Sequence, residues 1–398
     1  FGGMATSRSG TILNYAPERR ELGSVIAYYC AAPRPAFVFV VTEDHWPLAW
    51  YDPVDDVILR HDSMPEFETY LQHRVVELKR VWLRLSEEVR DYLADDRRST
   101  ILYPAIVEYL STHLFAELQG LLVIVENQAI DHVAAIACVS PEPLGPIQTL
   151  LPEYAGKTID RSVFADDVAL NRALFGQRHF PVRVTGGMAD DGLTGRVAAQ
   201  ARSTATADWI AEIERLRAPH WPLLFVSLRS RSRRLRLSGE EIAGFFNRVA
   251  SVHPDLALVF DGYALADRPI DPAVLRDEAA VIDGIVQHLS VPALRSAGRS
   301  MSDSIYAAIR CDLHLSEQGT STTKGALIAN RPGVVIGPRQ FGWDVRAFRD
   351  PSPLLLTPWE QAEDVVEGDI QTDYRLAPAV ICDALLDAIG FLPPRDHP

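Results

Sequence analysis

The second half of the sequence alternates strand-like and helix-like segments, and this alternation constrains the fold more than any other feature. The strand-like runs are short, apolar and bounded by turn residues: 223–228, 256–262, 292–295, 312–316, 333–337 and 354–358. Segments with helical character lie between or after them: 239–252, 271–290, 303–311, 320–330 and 373–390. No hairpin signature joins one strand to the next. The pattern therefore predicts βαβ units and a doubly wound parallel sheet.

The first half of the sequence predicts a less regular α/β arrangement. Apolar residues recur at helical spacing over 68–96, which predicts one long amphipathic helix. Further segments are predicted as helices at 102–118 and 191–217, and as strands at 36–42, 121–125, 132–139 and 179–186. The sequence Ala218-Pro219-His220-Trp221-Pro222 then breaks the pattern. We place the domain boundary there.

Composition excludes several classes of protein. The net charge of −14 argues against a nucleic-acid partner held by bulk electrostatics. No apolar run approaches the roughly 20 residues of a membrane-spanning helix. The four cysteines have no CxxC spacing, which indicates free thiols in a reducing compartment: Cys30, Cys138, Cys311 and Cys382. We expect a cytoplasmic protein, with a position at the inner face of the membrane as the alternative.

The polar stretch SEQGTSTTKG, residues 316–325, follows a predicted strand at the edge of the sheet where ligands bind. Gly319 would let a ligand approach the backbone closely. The start of the next predicted helix would offer free N–H groups to an anion. Three hydroxyl side chains could donate hydrogen bonds to phosphate oxygens: Thr320, Ser321 and Thr322.

Two charged residues of the same stretch extend this interpretation. Lys324 would add positive charge next to a phosphate. Glu317 could accept hydrogen bonds from two ribose hydroxyls, as the acidic residue of dinucleotide-binding folds does. The stretch thus predicts a site for a nucleoside diphosphate. An ordinary capped helix behind a solvated loop is the alternative.

Five arginines follow the first strand of the second half within eight residues: Arg229, Arg231, Arg233, Arg234 and Arg236. Guanidinium groups suit pyrophosphate because they can form bidentate contacts with it. We predict that Arg229 and one of Arg233 or Arg234 contact the ligand. A solvated basic loop is one alternative. A nucleic-acid patch is another, which the acidic balance and the lack of interleaved aromatic residues disfavour.

Several catalytic motifs are missing from the sequence. Gly319 is followed by four residues and then by Lys324-Gly325, which reverses the Gly-Lys order of a P-loop. No GxGxxG follows a strand, and no GxSxG or HExxH occurs. These observations argue against a P-loop NTPase, a dinucleotide dehydrogenase, an α/β-hydrolase and a zinc protease.

A strand ending in Ser-Leu-Arg, a nearby Arg-Arg pair and a later polar loop together resemble the C-terminal domain of GT-B glycosyltransferases. The resemblance is greatest to the branch with the O-linked N-acetylglucosaminyl and xylosyl transferases. In that comparison 314–325 corresponds to the loop that holds the donor diphosphate, and ANRPGVVIGP at 329–338 resembles the turn after the next helix. The resemblance covers about 220–340. Glu317 also matches the first of two glutamates in retaining enzymes, but Gly325 occupies the second position.

The resemblance implies two Rossmann-like domains facing a cleft. Residues 4–218 would form the acceptor-side domain and 219–372 the donor-binding domain, with a C-terminal helix in 373–398 packing back on the first. It implies a bacterial, metal-independent glycosyltransferase of polysaccharide biosynthesis that needs no cofactor. Such an enzyme would move a sugar from a nucleotide-diphosphate donor to a glycan, glycolipid or protein acceptor.

An inverting transfer also needs a general base, which by fold analogy comes from the first domain. Asp44 and His45 follow the strand-like run 36–42 and are the first candidates. Asp131 and His132 are the second. A structural role for either pair is the alternative.

Other residues and functions stay open from the sequence. His314 lies inside a predicted strand and is predicted to be a core histidine. Asp55-Asp56 and Asp190-Asp191 lie in predicted loops and are interpreted as solvated, so we predict no metal site. A nucleotide-sugar epimerase or hydrolase, and a non-catalytic nucleotide-sugar-binding module, are the alternative functions.

Overall fold

The structure of the chain is a computed structural model. It describes residues 10–14, 25–30, 36–41, 47–60, 68–94, 99–103, 110, 112–138, 143–160, 163–184, 188–231, 233–262, 272–339, 346, 349–350, 353–367, 369 and 372–393.

The chain divides into two units by its internal contacts. The first takes in described residues of Phe1–Tyr109, Ala116–Glu142 and Pro146–Gly187, and the second those of Leu110–Phe115, Pro143–Gly145 and Met188–Pro398. The division after Gly187 lies earlier in the chain than the boundary placed at 218. Helices of 191–217 belong to the second unit because Trp209 and Ile213 are buried against its sheet. The acceptor and donor roles of the units stay predictions.

The first unit begins with a five-stranded antiparallel sheet that the sequence did not predict. Its strands lie in chain order: β1 Gly10–Asn14, β2 Val25–Cys30, β3 Ala36–Val41, β4 Pro47–Asp52 and β5 Val57–Arg60. The predicted strand 36–42 is thus confirmed as β3, but it pairs with antiparallel neighbours. Phe37, Phe39 and Tyr51 pack on Leu71 and Leu78 of the following helical segment.

The predicted helix 68–96 consists of two helices, α1 Glu68–Arg84 and α2 Ser86–Ala94. A four-stranded parallel sheet follows, in the order β8-β7-β6-β9. Its strands are β6 Ser99–Tyr103, β7 Val133–Cys138, β8 Thr158–Asp160 and β9 His179–Arg183. The helices among these strands are α3 Thr112–Glu126, α4 Ile147–Leu150 and α5 Asp167–Gly176.

One strand prediction in this half is wrong. The run LLVIV at 121–125 lies inside α3 instead of forming a strand. Leu121 and Leu122 are buried, and a short continuous apolar run fits a buried helix as well as a buried strand. The strand predicted at 132–139 is confirmed as β7.

The second unit contains a six-stranded parallel sheet in the order β12-β11-β10-β13-β14-β15. Its strands are β10 Leu223–Ser227, β11 Ala257–Asp261, β12 Ala293–Arg295, β13 Leu313–Glu317, β14 Gly333–Ile336 and β15 Leu355–Leu356. The α-helices are α6 Asp191–Thr204, α7 Ala207–Arg217, α8 Gly239–Val252, α9 Pro272–Val286, α10 Met301–Arg310 and α11 Pro378–Gly390. A π-helix covers Thr323–Ile328, and a short antiparallel pair joins β16 Glu363–Asp364 to β17 Tyr374–Arg375.

Apolar side chains cover both faces of this sheet, because successive strand residues point to opposite sides. Leu224 and Val226 of β10 face a core shared with α8, α9 and α11, whereas Leu223 and Phe225 face α7 and α10. The predicted α/β class with a doubly wound C-terminal sheet is confirmed. Helix α11 packs on α8 and β14 of its own unit, where the sequence had placed it against the first domain.

The strand order has a direct consequence for ligand binding. The first strand, β10, has β11 on one side and β13 on the other, so the chain reverses its direction of winding between β10 and β13. Open α/β sheets bind ligands in the crevice at the carboxyl ends of such strands.

Helix α8 begins after a capping residue, Ser238. The Ser238 hydroxyl accepts a hydrogen bond from the Glu241 backbone N–H at 3.2 Å, and the Glu241 carboxylate accepts one from the Ser238 N–H at 2.7 Å. This capping box fixes where the chain turns from the arginine-rich loop into the helix.

His314 is a core histidine, as predicted. Its ring is fully buried in β13, with Nδ1 at 3.0 Å from the Ser316 hydroxyl, and burial lowers its pKa to about 3. The ring fills space that two glycines leave open. A Cβ at Gly325 would lie 2.7 Å from the ring, and one at Gly333 would overlap the His314 backbone oxygen.

Within the described part of the chain, no helix combines the length and the apolar character needed to cross a bilayer. Cys138, Cys311 and Cys382 are buried free thiols.

We expect Gly333→Ala to destabilise the second unit by about 2–3 kcal/mol, because its methyl group has no space beside β13 and overpacked cores lose stability. Gly244→Ala in α8 is the matched control: a Cβ there meets nothing within 4 Å, so it should stabilise the helix by up to about 1 kcal/mol. Urea unfolding measures both. Equal effects of the two substitutions would contradict the packing described.

Candidate functional site

The candidate site lies at the carboxyl ends of β10 and β13, where the winding of the sheet reverses. The loop after β10 carries the arginines, and the loop after β13 carries Gln318 to Thr322. The two strands are hydrogen-bonded neighbours, with Ser227 beside Ser316. The two predicted constellations, about 90 residues apart in the sequence, therefore meet at one edge.

Arg229 and Arg233 converge on Gly319. A Cβ placed on Gly319 would lie 3.4 Å from the Arg229 Nη1 and 3.3 Å and 3.4 Å from the two terminal nitrogens of Arg233. Gly319 itself has φ +101°, a conformation that favours glycine. Gly319 itself is buried, and the two half-buried guanidinium groups lie together against its backbone, an arrangement that suits an anion.

The contacts of Arg229 orient its side chain along the loop after β13. Its Nη1 donates to the Gln318 backbone oxygen at 3.3 Å, and its Nη2 donates to the Thr320 hydroxyl at 3.4 Å. Both hydrogen bonds are long and link to neutral acceptors, so the guanidinium keeps capacity for a charged partner.

Arg233 is positively charged at neutral pH although its pKa is lowered to about 10. Burial is the larger cause of this shift and the nearby Arg229 guanidinium the smaller, while Glu317 acts in the opposite direction. Its backbone has φ +58°, in the left-handed region. Two like charges held close together favour a shared negative ligand.

The other three arginines of the segment are paired with carboxylates. Arg231 lies 3.1 Å from the exposed Asp277. Arg234 and Arg236 both contact Asp373, at 3.1 Å and 2.6 Å. Arg233 lies beside Arg229, whereas Arg234 binds Asp373, and the contact of Arg229 and one of these two with a ligand stays a prediction.

Glu317 does not reach the exposed edge where a ribose would lie. It is 1% exposed, and its carboxylate accepts hydrogen bonds from three groups of the chain. The Arg229 backbone N–H donates to Oε2, while the Leu235 N–H and the Tyr374 hydroxyl donate to Oε1, each at 2.8 Å. Glu317 therefore ties the arginine loop and the segment before α11 to the end of β13.

Burial raises the pKa of Glu317 to about 7. The hydrogen bonds from Arg229 N–H and Tyr374, and the charge of Arg229, act to lower this pKa but do not cancel the cost of burial. A carboxyl group that changes charge near neutral pH therefore lies directly behind the arginine pair.

Lys324 is also directed away from the exposed edge. It is 7% exposed, and its Nζ lies 2.9 Å from both carboxylate oxygens of Asp261 at the end of β11. Asp261 accepts further hydrogen bonds from three serines: Ser227, Ser296 and Ser304. Lys324 thus neutralises a buried carboxylate and anchors the π-helix to β11, instead of adding charge beside a phosphate.

The loop hydroxyls have separate environments. Thr322 is buried and donates from Oγ1 to the Gly319 backbone oxygen at 2.7 Å, which stabilises the turn. Thr320 and Ser321 are half-buried, and Thr320 bonds to Arg229. Thr320 is accordingly the hydroxyl that the structure places beside the arginine pair.

The predicted helix 320–330 is a six-residue π-helix, Thr323–Ile328, with no side-chain cap at Thr322. Its wider turn brings Gly325 over the His314 ring. The prediction of an anion site at a regular helix N-terminus is therefore wrong, and the positive charge of the site comes from the arginines. Local π-helices are common at functional sites.

Sequence reasoning missed several residues that build the site. Tyr374, Asp373 and Asp261 hold charged groups in place, but they lie far along the chain and carry no motif. Gln318 was missed too. Its side chain is 1% exposed and lies against Gly337, and neither amide atom has a hydrogen-bond partner among the described residues.

The first candidates for a general base, Asp44 and His45, lie outside the described residues. The strand before them, β3, belongs to the antiparallel sheet, so its end is not an edge of a parallel sheet. The second pair, Asp131 and His132, forms an exposed 3₁₀ turn at the amino end of β7, opposite to the carboxyl edge.

The acidic pairs interpreted as solvated have structural partners. Asp56 accepts from Lys79 at 2.6 Å and from the Tyr51 hydroxyl at 2.8 Å. Asp190 caps α6, and Asp191 lies 2.5 Å from Arg349. Among the described residues, no group of three or more His, Cys, Asp or Glu side chains is arranged to hold a metal ion.

Comparison of the sequence with protein families and with curated proteins gives no match. Among solved structures, the chain is similar to a glycosyl transferase family 9 protein from Veillonella parvula DSM 2008, with 11% identity, a TM-score of 0.38, and coverage of 65% of this chain and 84% of that one. A UDP-N-acetylglucosamine 2-epimerase from Listeria monocytogenes is 13% identical, with a TM-score of 0.24 and coverage of 56% of this chain and 61% of that one. S. aureus MnaA in a co-structure with UDP is 16% identical, with a TM-score of 0.25 and coverage of 64% of this chain and 63% of that one. At such scores these likenesses carry no argument, so the function is argued from the site.

The raised pKa of Glu317 predicts a pH-dependent stability. Its carboxyl has a pKa of about 7 in the folded protein and of about 4.3 in the unfolded chain. The stabilisation that the protonated carboxyl contributes to the fold is therefore complete below about pH 4 and is lost as pH rises to 7. Relative to Glu317→Gln, the free energy of unfolding of the native protein should fall by about 2–3 kcal/mol between pH 5 and pH 8.

Glu241→Gln is the control for this measurement. Hydrogen bonds from the Ser238 backbone and side chain lower the Glu241 pKa, so its contribution changes only as pH falls into the acid range. In denaturant unfolding, the difference in free energy of unfolding between the native protein and this variant should stay constant between pH 5.5 and 8. A flat difference for Glu317→Gln as well would show that Glu317 is ionised throughout.

Proposed function

We propose that this chain binds a nucleoside diphosphate at Arg229, Arg233 and Gly319, and that it is a glycosyltransferase using a nucleotide-diphosphate sugar as donor. The observation that carries the proposal is the convergence of two guanidinium groups on a bare glycine at the point where the winding of the parallel sheet reverses.

The chemistry of the site suits a diphosphate better than a single carboxylate. Each guanidinium offers a planar set of N–H donors that can form two parallel bonds to an anion. Arg229 and Arg233 flank Gly319 from one loop, and Thr320 lies beside Arg229 on the other. Two adjacent phosphoryl groups would give each arginine its own set of oxygens. The missing Cβ at Gly319 lets both guanidinium groups lie against the backbone there.

The same groups would serve the reaction. When a sugar leaves its donor, negative charge develops on the departing diphosphate, and fixed positive charges there lower the barrier. The loop that carries Arg229 and Arg233 is held by hydrogen bonds from the backbone N–H groups of Arg229 and Leu235 to the Glu317 carboxylate, so little reorganisation is required. We propose that these two arginines supply the charge in a metal-independent transfer.

The acceptor side of the reaction is part of the same proposal. A glycan, glycolipid or protein hydroxyl would attack the sugar after losing its proton to a base, for which Asp44 and His45 remain the candidates. An epimerase or hydrolase would need the same diphosphate site but no acceptor. A binding module would need the site and no base at all.

A nucleotide titration separates these possibilities. We expect UDP, GDP or ADP to raise the melting temperature of the protein, because a ligand that binds the folded state stabilises it, and CMP to have less effect since it lacks a second phosphate. Turnover of a panel of nucleotide sugars, with and without acceptors, then distinguishes transfer, epimerisation, hydrolysis and binding alone. No shift with any nucleoside diphosphate would refute the proposal.

Arginine substitutions test the position of the site. We expect Arg229→Ala and Arg233→Ala each to weaken nucleoside-diphosphate binding about ten- to hundredfold, the effect of losing a charge-assisted hydrogen bond. Arg231→Ala is the matched control in the same loop, because its exposed side chain pairs with Asp277, and it should change affinity less than about twofold. Isothermal titration calorimetry gives the three affinities. Equal losses in all three variants would indicate a diffuse electrostatic effect instead of a built site.

A further inference from the structure

We propose that Glu317 is the internal counter-charge of the anion site and that it takes up a proton when an anion binds between Arg229 and Arg233. The inference rests on the proposed anion site and adds a role for a residue that lies behind it. Its basis is the geometry of the carboxylate and the balance of charges around it.

One residue, Gln318, separates Glu317 from Gly319, where the anion would bind. The Gln318 backbone oxygen accepts from the Arg229 guanidinium, and Gly319 lies directly between the two arginines. The Arg229 backbone N–H in turn donates to the Glu317 carboxylate. The same arginine thus faces Glu317 through its backbone and the ligand position through its side chain.

Few charged groups face this carboxylate. Arg229 and Arg233 interact with it electrostatically, and the Tyr374 phenol stays neutral because burial and Glu317 raise its pKa well above 10. Asp373, which directly precedes Tyr374 in the chain, forms ion pairs with Arg234 and Arg236. On β13 itself, His314 is kept neutral by burial. Lys324 is occupied by Asp261.

The charge balance therefore changes when the site is filled. Without a ligand, the ionised carboxylate is the near counter-charge of two guanidinium groups. A bound anion takes over that function and adds negative charge beside a carboxyl that is already buried. Both effects disfavour the ionised form. Since the carboxyl of the free protein titrates near neutral pH, the bound anion should make it take a proton from solvent in this range.

The Tyr374 hydroxyl can accommodate either state of the carboxyl. Hydroxyl groups both donate and accept, so Tyr374 can donate to the carboxylate or accept from the carboxylic acid at the same 2.8 Å position. The backbone N–H groups of Arg229 and Leu235 can only donate. Protonation thus changes one rotatable hydroxyl and leaves the loop in place.

Sulfate is the probe for this inference, because it carries no titrating proton between pH 5.5 and 8.5. Calorimetric titrations of the full chain in two buffers of different ionisation enthalpy report the protons taken up on binding. We expect net proton uptake on sulfate binding around pH 7. The sulfate affinity should fall as pH rises, and the total fall should be about tenfold for each unit by which binding raises the Glu317 pKa. Glu317→Gln should bind sulfate without proton uptake and with a nearly constant affinity.

Two further variants keep the inference testable if Glu317→Gln does not fold. Tyr374→Phe removes a charge-assisted hydrogen bond that lowers the Glu317 pKa, so this pKa should rise in the variant. The fall in sulfate affinity should therefore move to higher pH. Glu241→Gln alters an acid of the α8 capping box and should keep the native pH profile.

The outcomes separate the two proposals. If neither sulfate nor any nucleoside diphosphate binds the native protein, the proposed anion site is refuted. If sulfate binds without proton uptake, or with the same pH profile in Glu317→Gln, the role of Glu317 is overturned and the anion site stands. An unchanged profile in Tyr374→Phe would also count against it.

Discussion

The buried carboxylate of Glu317 holds together three segments that are distant in the sequence. It lies at the end of β13, and it accepts hydrogen bonds from Arg229 and Leu235 of the loop after β10 and from Tyr374 ahead of α11. Without these bonds, the loop would have no fixed path over the sheet, and the arginines would not converge on Gly319. Removing one partner from such a buried network costs several kcal/mol, since it leaves groups buried without partners. The candidate site depends on this one group.

The second constraint is the pairing of charges around the site. A loop with five arginines could bind anions without selectivity, but three of its arginines lie in ion pairs with Asp277 or Asp373. Lys324, the remaining cation of the opposite loop, is neutralised by Asp261. Arg229 and Arg233 lie together against the backbone of Gly319. The ion pairs thus concentrate the positive potential of the loop near Arg229 and Arg233, where we propose the anion site.

The fold of the second unit could be predicted from the sequence because local and global signals agree there. Apolar runs such as 223–228 and 256–262 alternate with helix patterns, and Ser238 and Glu241 mark a helix start. The first half was harder. Its run at 121–125 is continuous and apolar, which periodicity cannot assign, and of its antiparallel sheet only β3 was predicted as a strand.

The site was predictable in position more than in detail. Parallel-sheet topology brings Arg229 and the 316–325 stretch to one edge, so their meeting followed from the strand order. Which charged groups face solvent did not follow, because Glu317 and Lys324 are sequence neighbours of Gly319 but are directed to Tyr374 and Asp261. Those partners lie more than 50 residues away in the chain. Pairing over such distances is a property of the packed structure, which residue spacing alone does not contain.

A crystal structure of the protein with UDP or another nucleoside diphosphate that binds tests the central claim most directly. The account predicts phosphate oxygens within hydrogen-bond distance of the guanidinium groups of both Arg229 and Arg233, over the backbone of Gly319. A diphosphate bound elsewhere on the molecule, with these two arginines making no contact to it, would contradict the account.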